Sequence, residues 1–455
     1  MMKRLPYYIL AGLLLLFMGE ATAQEPLTLQ QCREMALQQN KQLAAAAQQT
    51  HYANYMVSSY RANFFPDFKL SGTGMYGTTD GNFAIPGGNL PVLTPDGKGN
   101  LLPNGHYAYF PGLNLAYELG WAYTGGICVQ QPLYMGGKIR AAYKMAKLGR
   151  EAAQQSERLS EMEVILHTEE AYAMLVKAQE MHKVAERYLA TLNELNRMVE
   201  SAHKHGLKPQ NDVLKVQVKR NEAELNLRKA ENAKRLASMN LCHYIGLPLL
   251  DPIRIDEQYP EMMIDESASN DISARPEYHL LSKQVEINQQ KVKLTRSEML
   301  PQVGVQAGYN YMNGLKINDE KLFDKGSFIA LLNVSIPLYH FGERKNKVNA
   351  AKAQLKQSLL EQADKNELML LELAQAANNL DEARLESDLA DKALEQAEEN
   401  RRVSTEQYKL GLETLSDHLE AQTLWQQAWQ TQVEAHFNQY LNGVAYRKAN
   451  GTLRQ

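Results

Sequence analysis

One long segment occurs twice in this chain at the same register, and that limits the folds open to it. The first copy opens at Pro132-Leu133-Tyr134 with Gly137 following, runs as a helix-forming stretch through 138–205, and turns at Gly206-Leu207. The second opens at Pro337-Leu338-Tyr339 with Gly342 following, and turns at Gly411-Leu412. From proline to turning glycine is 74 residues in each. Beyond the turn the matches keep an offset of 205: Asp212 with Asp417, Leu214 with Leu419, Gln217 with Gln422. Duplication at fixed register marks a repeated supersecondary unit, here a strand, a very long helix and a returning helix. At ~1.5 Å per residue the stretch 138–205 spans roughly 100 Å, too long for a compact globule.

Composition and compartment narrow the reading further. A net charge of −3 gives no reason to expect nucleic acid as a partner. Residues 1–23 have the anatomy of a signal peptide: Lys3 and Arg4, an apolar run from Tyr7 to Met18, then Ala21-Thr22-Ala23. The mature chain is expected to begin at Gln24, without a transmembrane helix. It is also expected to lack a lipid anchor, because the nearest cysteine, Cys32, lies inside a helical pattern. Cys32, Cys128 and Cys242 are too few and too scattered for a disulfide framework, and read as small buried hydrophobes. His203 and His205 do not face one site on a helix end. No metal or cofactor is expected, and no Ser/His/Asp set or phosphate loop points to an enzyme.

Taken in order, the first repeat covers 24–246. It has a helix at 27–63 stopped by Phe64-Phe65-Pro66, strands at 67–77 and 113–133, the long helix 138–205 and a return helix 210–245. Residues 77–112, rich in Gly, Pro and Asn, read as a long loop. A linker, 247–273, leads to the second repeat, 274–447. This has a helix at 276–299, strands at 302–312 and 327–338, the long helix 343–410 and a return helix 412–446, before a tail at 448–455. In the first long helix Met181, Ala185, Tyr188, Leu192, Leu195, Val199 and Ala202 recur at steps of 4 and 3, a seam for packing against a neighbouring helix. The return helix and the helix at 27–63, stacked end to end, match the long helix in length.

All four strands alternate. Phe68, Leu70 and Tyr76 alternate with Lys69, Ser71 and Met75; Phe328, Ala330, Leu332, Val334 and Ile336 share one face of the last. Such a pattern suits either a half-buried soluble sheet or a lipid-facing barrel. In lipid, four strands cannot close, and an open edge leaves backbone groups unpaired at several kcal/mol each. Several chains must then share one barrel: two would give 8 strands and three would give 12.

The chain resembles the TolC-type outer-membrane efflux proteins over essentially its whole mature length. The resemblance rests on Leu-Thr-Leu at 27–29, on Phe-Pro and Leu-Pro before the first strand of each hairpin, and on Gln-Pro-Leu-Tyr-x-Gly-Gly at 131–137. Ile-Pro-Leu-Tyr-x-x-Gly at 336–342 and the Gly-Leu turns with Asp-Val-Leu at 212–214 complete it. It implies a mainly α fold in which duplicated long-helix hairpins form an α-helical barrel, with four strands per chain in a shared 12-stranded transmembrane β-barrel. It further implies a homotrimer in the bacterial outer membrane, with a periplasmic tunnel docked to a periplasmic adaptor and an inner-membrane pump, exporting small molecules. The same channel used for protein secretion, or a periplasmic coiled-coil scaffold, are the competing readings. By the same resemblance Asp212, Asp417, Tyr408 and Glu420 lie at the periplasmic entrance. Gly206, Leu207, Gly411 and Leu412 form the adaptor-docking tips. One position departs: where the family has an arginine two residues after the second glycine, this chain has Glu413. Lys208 or Lys215 pairing with Glu413 is the expected substitute for the lost Arg–Asp latch.

Overall fold

The computed structural model describes residues 26–256, 259, 271–321 and 324–453. The signal segment 1–23, residues 257, 258 and 260–270 of the linker and the last two residues of the tail lie outside these. The chain is mainly α with a smaller β part. In order it contains α1 (Leu29–Gln39), α2 (Lys41–Ala62), β1 (Asp67–Ile85), β2 (Gly88–Pro95), β3 (Leu101–Phe110), β4 (Leu113–Met135), α3 (Lys138–Lys204) and α4 (Gln210–Ile245). A short 3-10 turn (Ile272–Ala274) precedes α5 (Pro276–Ser297), β5 (Gln302–Ile317), β6 (Glu320–Lys321), β7 (Asp324–Ser335), α6 (Glu343–Lys409) and α7 (Leu415–Ala449). Two compact units cut across the sequence repeats. One comprises Met1–Ala53, Gly149–Val285 and Ser358–Gln455; the other comprises Asn54–Leu148 and Glu286–Gln357.

The first unit is helical. Near the two helix turns the seam of α3 is buried: Ala185, Tyr188, Leu192, Leu195 and Val199. Most of that seam packs with Val213, Val216 and Ala223 of α4 and Leu415, Leu419 and Trp425 of α7. A second core joins α1, the middle of α3, the end of α4 and the end of α7, through Cys32, Tyr172, Leu175, Leu241, Ile245 and Tyr440. Within it the carboxylate of Glu169, 0 % exposed, meets the guanidinium of Arg33, that of Arg447 at 2.7 Å and the hydroxyl of Tyr440 at 3.4 Å. A buried carboxylate is tolerated only with such partners, and removing one of them costs about 3–5 kcal/mol.

The single helix expected over 27–63 is two. Asn40 takes extended backbone angles, ends α1 by donating its N–H to the Ala36 carbonyl, and caps α2 by accepting from the Gln42 N–H at 2.9 Å through its side chain. Asparagine competes for backbone donors in this way, so it breaks an Ala- and Gln-rich run that propensity alone would continue. The same side chain donates to the Tyr244 carbonyl at the end of α4, 3.3 Å away, so α2 starts where α4 stops. The junction recurs: Arg275, just ahead of α5, donates to the Ala449 carbonyl at the end of α7 at 3.5 Å.

The second unit holds an antiparallel meander in the order β1-β4-β5-β7. Register puts the alternating apolar residues on one face. Phe68 lies opposite Val129, Leu70 opposite Ile127, Ile127 opposite Tyr309, and Tyr309 opposite Phe328. These side chains are largely open on that face, as are Leu332 and Val334. Aromatic residues meet across the strands, Tyr76 with Trp121 at 5.2 Å and Tyr123 with Tyr311 at 6.1 Å. Among the described residues β1 pairs only with β4, and β7 only with β5, β6 aside, so both outer edges are unpaired. None of the described helices is long and apolar enough to cross a membrane.

The segment 77–112 is no loop. β1 runs on to Ile85, opposite Leu113, and β2 and β3 carry the hairpin outward from Gly88 opposite Phe110 to Pro95 opposite Leu101. Its prolines and glycines are admissible because a two-stranded ribbon has only edge strands, where a missing N–H breaks no second ladder. At the tip Asp96 accepts from the Lys98 and Asn100 N–H groups at 3.0 Å.

Candidate functional site

Both helix turns are built alike. Gly206 and Gly411 each have φ +75°, left-handed backbone that other residues adopt only at a cost. In the first turn the Gly206 N–H donates to the His203 carbonyl and the Leu207 N–H to the Ala202 carbonyl, both at 2.9 Å. The second repeats this from Gly411 to Tyr408 at 3.1 Å and from Leu412 to Gln407 at 2.9 Å. This Schellman pairing satisfies the last carbonyls of each long helix. Leu207 and Leu412 are left projecting, 77 % and 76 % exposed. Nothing lies within 4 Å of where a Cβ on either glycine would sit, so the backbone angle rather than crowding demands glycine.

The side chains differ at positions 205 residues apart. Lys208 of the first turn corresponds to Glu413 of the second, Pro209 to Thr414, Val213 to His418 and Lys215 to Glu420. Thr414 caps α7, accepting from the Asp417 N–H at 3.3 Å and donating to the Asp417 carboxylate at 2.7 Å. α7 begins at Leu415 rather than at 412, because Leu412 still belongs to the turn that closes α6. Pro209 offers no side-chain bond, and the Asp212 N–H in the first turn of α4 donates instead to the Pro209 carbonyl at 3.1 Å. Asp417 and Glu420 are exposed and one helical turn apart on α7. Glu420 and Lys215 line the same open groove of about 590 Å³ with Leu214, Val218 and Leu419.

Tyr408 is half buried and its ring is addressed by two groups. The His418 imidazole stacks on it at 4.8 Å with planes 4° apart, and the Lys208 ammonium sits over it at 5.0 Å from the centroid. Burial, with the Asp212 carboxylate nearby, raises the Tyr408 pKa above the usual phenol range. His418 is buried, 3 % exposed, between the Ser404 hydroxyl at 3.0 Å from Nδ1 and the Gln422 amide at 3.4 Å from Nε2. Burial holds its pKa below the ordinary value, helped by Lys409 and opposed by Glu413. Oε2 of Glu413 is buried with no hydrogen-bond partner.

The Lys–Glu413 pair expected from the sequence does not form. Lys208 lies over Tyr408, and Lys215 donates to the Ser416 hydroxyl at 3.2 Å. His418, Ser404 and Gln422 escaped the sequence reading. The signal was available in the offset of 205, since the twin of His418 is the buried apolar Val213 and packing alone did not ask for an imidazole there.

Comparison with known proteins bears on both units. A family profile described as "Outer membrane efflux protein" matches residues 32–247 and 275–452. No curated protein sequence matches the chain. Among solved structures the fold is similar to the outer membrane channel CmeC of Campylobacter jejuni, with TM-score 0.74 and 18 % identity over 93 % of this chain and 86 % of that one. It is similar to the outer membrane protein VceC of Vibrio cholerae, with TM-score 0.74 and 17 % identity over 93 % and 96 %. It is also similar to the open state of the MtrE outer membrane channel of Neisseria gonorrhoeae, with TM-score 0.73 and 16 % identity over 93 % and 89 %. Spanning both repeats, the profile match settles the relationship: the chain belongs to the outer membrane efflux protein family.

Proposed function

We propose that three copies of this chain form an outer-membrane channel whose helices continue as a periplasmic tunnel. Docked to a periplasmic adaptor and an inner-membrane pump, it exports small molecules. One observation carries the reading: a four-stranded sheet with a continuous exposed apolar face and two unpaired edges. Lipid satisfies the face and only further strands satisfy the edges. Three copies supply 12 strands, within the range of known barrels.

The chain would work by geometry and charge, without catalysis. Asp212, Tyr408, Glu413, Asp417 and Glu420 would surround the periplasmic entrance. Threefold repetition of Asp417 and Glu420 places a ring of carboxylates there, which attracts cations and opposes close approach of the helix ends. The exposed Leu207 and Leu412 at the Gly206 and Gly411 turns would be the apolar contacts for adaptor helices.

Membrane fractionation followed by the mass of the detergent-solubilised particle tests this. Retention through a urea wash and a mass of three chains are expected; a soluble protein or a stable monomer overturns the channel. Loss of the gene should sensitise the host to small toxic molecules, whereas loss of secreted proteins alone would redirect the reading to protein secretion.

A further inference from the structure

We propose that the two turns of one chain are latched through the Tyr408 ring, held by Lys208 of the first turn and by His418 beneath the second. His418 acts as the positioning residue. The inference rests on the channel reading above and replaces the ion pair that Glu413 removes.

The geometry favours the ring over the hydroxyl. The His418 ring lies nearly parallel to the Tyr408 ring at 4.8 Å and the Lys208 ammonium 5.0 Å from the same centroid, so both address the ring itself. The Tyr408 hydroxyl makes no hydrogen bond to Asp212, which acts on it only as a nearby charge. Lys208 is the sole member of the stack from the first repeat, so the cation–π contact ties the Gly206 turn to the Tyr408 ring. Each contact of this kind stabilises by about one kcal/mol. His418 is fixed from behind by Ser404 of α6 and Gln422 of α7, which orient the ring for stacking.

Such a clamp is sensitive to acid. The charged or titratable groups facing His418 are Tyr408 and Lys409 from α6 and Glu413 from the connecting turn; Lys208 and Asp212 reach it only through Tyr408. With its folded pKa depressed, His418 supports the clamp fully above the ordinary histidine value of about 6.5. That support falls as pH drops through 6.5 toward the folded value, because the loosened state binds the proton better. A proton there would also place a second cation against the ring that Lys208 already addresses.

Single-channel recording of the full-length protein in planar lipid bilayers tests the clamp. Wild type should conduct little at pH 7.5, and its open-to-closed ratio should rise on the order of tenfold below pH 6, by loss of stacking worth about that factor. Tyr408→Phe keeps the ring and should match wild type, whereas Tyr408→Leu should open the channel at both pH values. Lys208→Met, at an exposed turn where folding is not at stake, should open it severalfold at pH 7.5. His418→Phe retains an aromatic partner and should be closed and flat across pH. Opening by Tyr408→Phe, a silent Lys208→Met, or a wild type whose conductance ignores pH overturns the clamp while leaving the channel intact. A wild type that forms no channels overturns the channel reading and the clamp together.

Discussion

The turns at Gly206 and Gly411 share a backbone and little else. Their φ angles are equal, their terminal hydrogen bonds are the same, and their leucines project to the same extent. Yet Lys208 stands where the other has Glu413, Lys215 where it has Glu420, Pro209 where it has Thr414, and Val213 where it has His418. Backbone geometry at a helix end is dictated by glycine and by the carbonyls that must be satisfied. Side chains beyond that are free to diverge, and here one turn has become basic and the other acidic.

The largest test of that contrast is in the core. Leu415 is buried at the start of α7, whereas its counterpart Gln210 is exposed. Leu415→Ala should therefore destabilise by about 2–5 kcal/mol and Gln210→Ala hardly at all. Trp425 and Trp429 lie in or against the same core, so their fluorescence during urea unfolding reads the difference directly. Next come the glycines. Gly206→Ala and Gly411→Ala should each cost about 1–2 kcal/mol, and equally, since φ is the same and space is open around both. Asparagine, which tolerates left-handed backbone, should cost less at either turn; unequal losses would mean the turns are not equivalent.

Capping gives a smaller effect. Thr414→Ala should lose about 1 kcal/mol with its bond to the Asp417 N–H, while Pro209→Ala loses no cap. Smallest of all is Lys215→Ala, which removes a solvent-exposed bond to Ser416 and should shift the urea midpoint by less than about 0.5 kcal/mol in equivalent stability. A larger loss would mark the Lys215 groove as a structural contact rather than a surface.

Much of the architecture was legible because it is periodic. The steps of four and three in α3 fall on residues that are buried from Ala185 to Val199, with Met181 and Ala202 at the ends partly exposed, and the alternation of all four strands resolves, through register, into one apolar face. What was missed lacks a period. Asn40 splits a helix by a single side-chain competition, and the β2–β3 ribbon is written in Gly, Pro and Asn because neither of its strands must pair on a second side. At the turns the charges were visible but their partners were not. Lys208 found a ring instead of a carboxylate, and Glu413 was drawn inward beside a histidine that no spacing rule singles out.

The duplication at an offset of 205 residues has a consequence for symmetry. A chain with one hairpin would close a ring only from six identical turns, each forced to present the same charge to its neighbours. In the proposed trimer, fusing two hairpins would lower the exact symmetry from sixfold to threefold while leaving six turns of like backbone. In that ring the basic and acidic turns would alternate around the circumference, so neighbouring turns would not all carry the same charge.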